Sequence, residues 1–270
     1  MDAEAEYNNR ARLPGHVDVL AGWQAASAAH RPHARAALDQ PYGPDPRQRY
    51  DLFHAARPDA PLVAYFHGGY WQMGGREATA FVAPALTAAG IELAIPSYRL
   101  CPAVGVLDVI DDARRCALAL WRQTGKRIVA AGHSAGGHLA AALLATDWAA
   151  HGAPADLVPA ALAISGVFDL APLIATTMNA ALGLDPDRAR AASPLAWPPP
   201  ARGTLVTAVG DAETGAFHRQ SHTLRAAWRD LVTDHLVVRG ADHFTIVNDL
   251  TRPDSALFRR TVALAGLDLA

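Results

Sequence analysis

The sequence predicts an α/β fold, a mostly parallel central sheet with helices on both faces, and three observations lead there. Apolar runs of strand length at 61–66, 91–98, 127–131 and 159–164 alternate with segments of helical character at 77–89, 106–123 and 135–148, and strands joined through helices run parallel. The 270 residues are enough to bury one large core. With 51% hydrophobic and 19% charged residues the composition is globular, not disordered.

Residues 1–46 read as an N-terminal extension, helical over 16–30 and rich in turn formers from Pro32 to Pro46. Residues 47–54 alternate polar and apolar side chains, as a leading edge strand does. A buried strand at 61–66 ends on the glycines of His67-Gly68-Gly69; a helix over 77–89 and a strand over 91–98 come next. After Pro102 a helix is expected over 106–123, followed by strand 127–131, helix 135–148 and strand 159–164. The region 170–200 breaks the rhythm, because Thr176-Thr177, Asp185-Pro186-Asp187 and Trp197-Pro198-Pro199-Pro200 suit neither a strand nor a continuous helix. It reads as an insertion over the site that forms a small cap together with the N-terminal extension. Strand 203–209, helix 216–230, strand 234–239 and helix 246–265 complete the alternation, and without a repeat or linker 1–270 reads as a single domain.

The formal net charge of −2 offers no attraction to nucleic acid or an anionic membrane, and points to a small-molecule substrate with self-association left open. The acidic start Met1-Asp2-Ala3-Glu4-Ala5-Glu6 lacks the basic and apolar parts of a signal peptide, and no later stretch is long and apolar enough to span a bilayer, so a cytoplasmic location is expected. Cys101 and Cys116, outside any C-x-x-C or metal spacing, read as reduced buried thiols.

Chemistry concentrates at Gly132-His133-Ser134-Ala135-Gly136-Gly137, between the strand at 127–131 and the helix after it. A G-x-S-x-G turn in that context strains the serine backbone and lifts its hydroxyl clear of the sheet, which marks Ser134 as a nucleophile. A serine hydroxyl needs a base to take its proton and a carboxylate to orient that base, in the chain order Ser, acid, His. His243 lies in the loop after the last predicted strand, at the sheet edge where Ser134 also lies. His235 falls within a strand, while His218 and His222 are one helical turn apart without a third ligand and read as a solvated helix face, so no metal or other cofactor is implied. The loop after 203–209 offers Asp211 and Glu213; Glu213 is preferred because it clears the strand end and reaches further. Asp169 and Asp242 read as loop caps. Gly68 and Gly69, whose main chain can approach closely, and Ala135, at the start of the following helix, are the expected oxyanion donors.

The chain resembles the kynurenine formamidase branch of the α/β-hydrolase superfamily, close to hormone-sensitive-lipase-like esterases. The resemblance rests on Tyr7-Asn8-Asn9-Arg10, His67-Gly68-Gly69-Tyr70-Trp71, Tyr98-Arg99-Leu100-Cys101-Pro102, the GHSAGGHL run at 132–139, the SGVFDL run at 165–170 and Phe217-His218-Arg219-Gln220-Ser221. It implies the α/β-hydrolase fold, Ser134 as nucleophile, His243 as base, and an acid in the loop before Phe217, where alignment lands on Glu213 although the family often has Asp. It further implies cleavage of N-formyl-L-kynurenine to L-kynurenine and formate. A broad carboxylesterase acting on short-acyl aryl esters would use the same residues, and a binding protein that keeps the fold without catalysis is the reading from another class. Tyr70, Trp71, Phe168, Trp197 and Phe244 are candidates to line an aromatic pocket, each with core packing as the alternative. Arg10 and Arg99 are candidates to meet a substrate carboxylate, against the plainer reading of surface arginines.

Overall fold

The computed structural model describes residues 2–268; Met1, Leu269 and Ala270, at the ends of the span read as one domain, lie outside the described residues. Two short helices, α1 (Ala3–Tyr7) and α2 (Asn9–Arg12), precede α3 (His16–His30), β1 (Ala36–Pro41), β2 (Arg49–Phe53) and β3 (Leu62–Phe66). Then come α4 (Ala83–Ala88), β4 (Glu92–Pro96), α5 (Val106–Thr124), β5 (Ile128–His133), α6 (Ala135–Leu144) and β6 (Ala160–Ile164). The chain continues through α7 (Asn179–Leu182), α8 (Pro186–Ala191), β7 (Thr204–Gly210), α9 (Gly215–Ala227), β8 (Val232–Val238) and α10 (Ala256–Leu264).

The eight strands form one sheet in the order β1-β2-β4-β3-β5-β6-β7-β8. β2 is antiparallel to both β1 and β4, and from β4 to β8 every pairing is parallel. Strand side chains alternate between faces, so each strand feeds two cores. Leu62, Ala64 and Phe66 of β3 with Ile128 and Ala130 of β5 pack against α5, α6 and α9. Val63, Tyr65, Val129 and Ala131 face α4 and α10. Each large side chain fully removed from water in this way contributes about 1.5–3 kcal/mol. All ten residues of α6 are buried, which small Ala and Gly side chains permit at close helix–sheet approach.

Three sequence expectations are corrected. The strand at 47–54 is not the edge, for β1 lies outside it; β1 carries a bulge between Ala37 and Gln40, with Asp39 at φ 57, and its turn formers Asp39 and Pro41 conceal it. The helix expected over 77–89 is two short 3₁₀ turns, Arg76–Ala78 and Ala80–Val82, followed by α4, because Pro84 has no N–H to give an interior helical bond and so sits in the first turn of α4. The helix expected over 246–265 is likewise divided into a 3₁₀ segment, Thr245–Thr251, and α10, with Pro253 between them and the Ser255 hydroxyl capping α10 through the Phe258 N–H at 3.0 Å. In addition α6 stops at Leu144, short of the expected 148.

Candidate active site

The carboxyl ends of β3, β5, β7 and β8 converge on one edge of the sheet, where their loops build a cluster of polar side chains. Ser134, between β5 and α6, has φ 56 and ψ −116, a conformation L-residues avoid. Glycine on both sides makes that turn feasible: a Cβ on Gly132 would stand 2.2 Å from the Gly136 carbonyl oxygen, and one on Gly136 would stand 1.9 Å from that of Phe66. The Ser134 N–H donates to the Ile164 carbonyl at 2.8 Å, which fixes the turn to β6.

His243 is held from both sides. The carboxylate of Asp242 accepts the N–H groups of Phe244 and Thr245, each at 2.8 Å, and the His133 Nε2–H donates to the His243 carbonyl at 2.7 Å. The imidazole packs on Phe217 with ring centroids 4.4 Å apart. Its Nδ1–H donates to Glu213 Oε2 at 2.7 Å, and its Nε2 accepts from the Ser134 hydroxyl at 3.1 Å. This is the tautomer a base needs, with the lone pair towards serine.

Glu213 is reached because the end of β7 presses against the 241 loop: a Cβ on Gly210 would lie 2.1 Å from the Ala241 carbonyl oxygen. The carboxylate is wholly buried, and its second oxygen accepts from Ser165 Oγ at 2.5 Å and from the Gly210 N–H at 2.8 Å. A buried charge left without such partners would be strongly destabilising. Asp211 instead accepts the Gly240 N–H at 2.7 Å, exposed at the surface and away from the imidazole. Asp169 and Asp242 act as loop caps.

Gly68 packs against the serine, since a Cβ there would come within 3.1 Å of Ser134 Cβ. Among the described residues neither Gly68 nor Gly69 gives its N–H to a backbone acceptor. Ala135 opens α6, where first-turn N–H groups have no intrahelical partner. The next two residues, Tyr70 and Trp71, also adopt positive φ, at 49 and 56, so the loop recoils sharply after the glycines.

A pocket of about 270 Å³ opens on Ser134 and His243. Tyr70 and Phe244 line it, together with Leu20, Trp23 and Met73. Phe244 stacks on His16 at 5.2 Å, and the Tyr70 hydroxyl donates to the Tyr7 carbonyl at 2.5 Å. Trp71, Phe168 and Trp197 do not line it. Trp71 turns into the core, edge-on to His138 at 5.0 Å, because the recoil at 70–71 sends the two side chains opposite ways. Phe168 is fully buried in space left by Gly166, where a Cβ would be 2.4 Å from its ring. Trp197 is held to the insertion by its indole N–H on the Ala191 carbonyl at 2.9 Å, with the Arg114 guanidinium 5.9 Å from its ring centroid. Arg99 is likewise unavailable to a substrate, being forked onto the buried Asp112 carboxylate. Arg10 does line the pocket, as does Met178 from the insertion.

Three further residues at the site lie within the quoted motifs but have no role assigned from the sequence. Ser165, at φ 50, secures Glu213; the SGVFDL run contains it, but nothing local distinguishes this serine from a turn residue. His67 lines the pocket with its Nδ1–H donating to the Gly68 carbonyl at 2.7 Å, and burial lowers its pKa to about 4. His133, 4.7 Å from the His243 ring, is held well below the usual histidine range by burial and by its neighbour. Both imidazoles are therefore neutral near pH 7. Among the described residues no group of three or more His, Cys, Asp or Glu could hold a metal ion, and no helix is long and apolar enough to cross a membrane. Cys101 and Cys116 are free and buried.

A family model described as alpha/beta hydrolase fold matches residues 63–193. Kynurenine formamidases from Danio rerio and Salmo salar are 28% and 29% identical to the chain, each alignment covering 94% of it and 89% of the relative. The crystal structure of a "putative thioesterase" from Silicibacter sp. is 31% identical, with TM-score 0.89 over 99% of this chain and 100% of that one. A hormone-sensitive lipase from a metagenome library shares the fold at TM-score 0.69 and 20% identity, over 91% of this chain and 88% of the other.

Proposed function

Because the chain belongs to the α/β-hydrolase superfamily, with kynurenine formamidases among its relatives, we propose that it is a serine hydrolase cleaving N-formyl aryl amides, N-formyl-L-kynurenine foremost. The observation that carries this reading is the unbroken run of hydrogen bonds from Ser134 through His243 to Glu213, beside a pocket with aromatic walls.

In this mechanism Ser134 Oγ attacks the formyl carbon while its proton passes to His243 Nε2. The N–H groups of Gly68, Gly69 and Ala135 take the oxyanion, and each such donor is worth roughly 10²–10³ in rate. Glu213 holds the imidazole and stabilises its charged form. The C–N bond then breaks, His243 Nε2–H protonates the departing aniline nitrogen, and a formyl ester remains on Ser134. Water, deprotonated by His243, attacks that ester and releases formate. A formyl group carries only hydrogen beyond its carbonyl, so the acyl side of the site can be tight while Tyr70 and Phe244 accommodate the ring.

Comparing kcat/KM for N-formyl-L-kynurenine with that for p-nitrophenyl acetate tests the assignment. Measurable formamide turnover that Ser134→Ala abolishes is the expected result. Brisk ester or thioester cleavage beside near-zero formamide turnover would replace it with a carboxylesterase or thioesterase reading, and no labelling of Ser134 by a fluorophosphonate would remove catalysis altogether.

A further inference from the structure

Three residues at the end of the N-terminal segment border the pocket, and they differ in how their polar groups are engaged. Asn8 is committed: its Oδ1 caps α2 through the Ala11 N–H at 3.2 Å, and its Nδ2 donates to Glu4 at 2.6 Å. Asn9 is only 2% exposed, yet neither its Oδ1 nor its Nδ2 has a hydrogen-bond partner. An amide removed from water on both sides without a partner is costly, and such a group calls for a specific reason. Arg10 forms no hydrogen bond or ion pair among the described residues, and its pKa is lowered by loss of solvent alone, with no carboxylate nearby to raise it. Arg10 keeps solvent-exposed surface while it lines the pocket, so its guanidinium is open to a ligand; arginines packed closer to the core are already matched, as Arg31 and Arg76 are with Asp39 and Arg99 with Asp112.

We propose that Asn9 and Arg10 form a subsite for a carboxylate carried by the leaving group, so that the site selects carboxylate-bearing aryl substrates over uncharged-amide counterparts of the same shape. The inference rests on hydrolysis at Ser134 but not on the acyl group being formyl. A guanidinium and an amide N–H both donate to carboxylate oxygens, and the apolar wall of Leu20, Trp23 and Phe244 seats the ring between that subsite and the serine. Asn9 and Arg10 are specificity-determining residues; neither is assigned a part in the bond-breaking steps.

The test is the ratio of kcat/KM for a carboxylate-bearing substrate over its neutral counterpart, at 0.2 M salt to screen long-range steering. Two matched pairs are used, each differing only by conversion of the carboxylate to its primary amide: N-formyl-L-kynurenine against N-formyl-L-kynurenine amide, and 3-(4-acetoxyphenyl)propanoate against 3-(4-acetoxyphenyl)propanamide. In Arg10→Gln the ratio falls about 10-fold or more, the range for a hydrogen bond to a charged group. In Asn9→Leu the ratio falls too, while the Tm rises because the unpartnered amide is gone. A ratio within twofold of wild type in both variants overturns the proposal, as does an equal loss on charged and neutral members accompanied by a lowered Tm in Asn9→Leu. If wild type hydrolyses the ester pair and neither formamide, the formyl assignment fails while the ester pair still decides the role of Arg10.

Discussion

Glu213 has three polar partners and no exposed side-chain surface, whereas Asp211, two residues earlier, has one partner and sits in solvent. Under the proposed mechanism Glu213→Gln lowers kcat by about 10³–10⁴, as when the carboxylate behind a catalytic histidine becomes an amide. Asp211→Asn stays within about twofold of wild type, a surface substitution; equal losses in the two variants would remove Glu213 from the acid role. Ser165→Ala takes away one of two donors on Glu213 Oε1, and steady-state kinetics should show kcat down about 10-fold with KM little changed, the loss of one charge-assisted hydrogen bond. Much of this geometry was legible because it is local: Gly132-His133-Ser134-Ala135-Gly136 forces a turn, and Glu213 and His243 follow strand ends. Ser165 was hidden because its importance arises only when β6 and β7 lie side by side. The direction of Trp71 was hidden too, since it depends on two successive residues at positive φ and not on any pattern of hydrophobicity.

At the scale of elements, the helices of the sheet core were readable from periodicity and the interrupted ones were not. Pro84 and Pro253 divide segments whose apolar spacing suggests continuity, and Asp39 and Pro41 disguise β1 as a loop. α1 fastens the front of the site to two distant segments. The Glu4 carboxylate accepts from Thr177 N–H and Oγ in the insertion, and the Glu6 carboxylate accepts from the Ala216 N–H at the start of α9, where the helix dipole favours an anion. The double variant Glu4→Ala with Glu6→Ala should raise KM several-fold and open the chain before residue 13 to limited proteolysis; unchanged KM and cleavage would deny α1 any part in shaping the pocket. At the other extreme stands the β5–α6 junction. Gly136→Ala drives a methyl group into the Phe66 carbonyl, and chemical denaturation should show a loss exceeding about 3 kcal/mol, in the range of severe core or backbone clashes.

The whole molecule carries several imidazoles that are almost wholly withdrawn from water. Burial holds His67 and His138 at about 4 and His133 well below the ordinary value, against about 6.5 in the unfolded chain. Between those values the unfolded chain binds more protons than the folded one, so stability is full above pH 6.5 and drains as pH falls towards 4. With three such groups the slope approaches about 4 kcal/mol per pH unit. His138→Gln, which can keep a donor for the Ala192 carbonyl, should flatten the dependence of Tm on pH by about one proton's worth; an unaltered slope would mean that His138 is protonated in the folded state. The same neutrality bears on turnover. Under the proposed mechanism, with His133 4.7 Å from His243 and held neutral near pH 7 by burial, the hydrogen ion lifted from serine has one resting place and no neighbour to share it. A rate measured in mixtures of light and heavy water should then fall along a straight line with deuterium fraction, the signature of a single nucleus in flight.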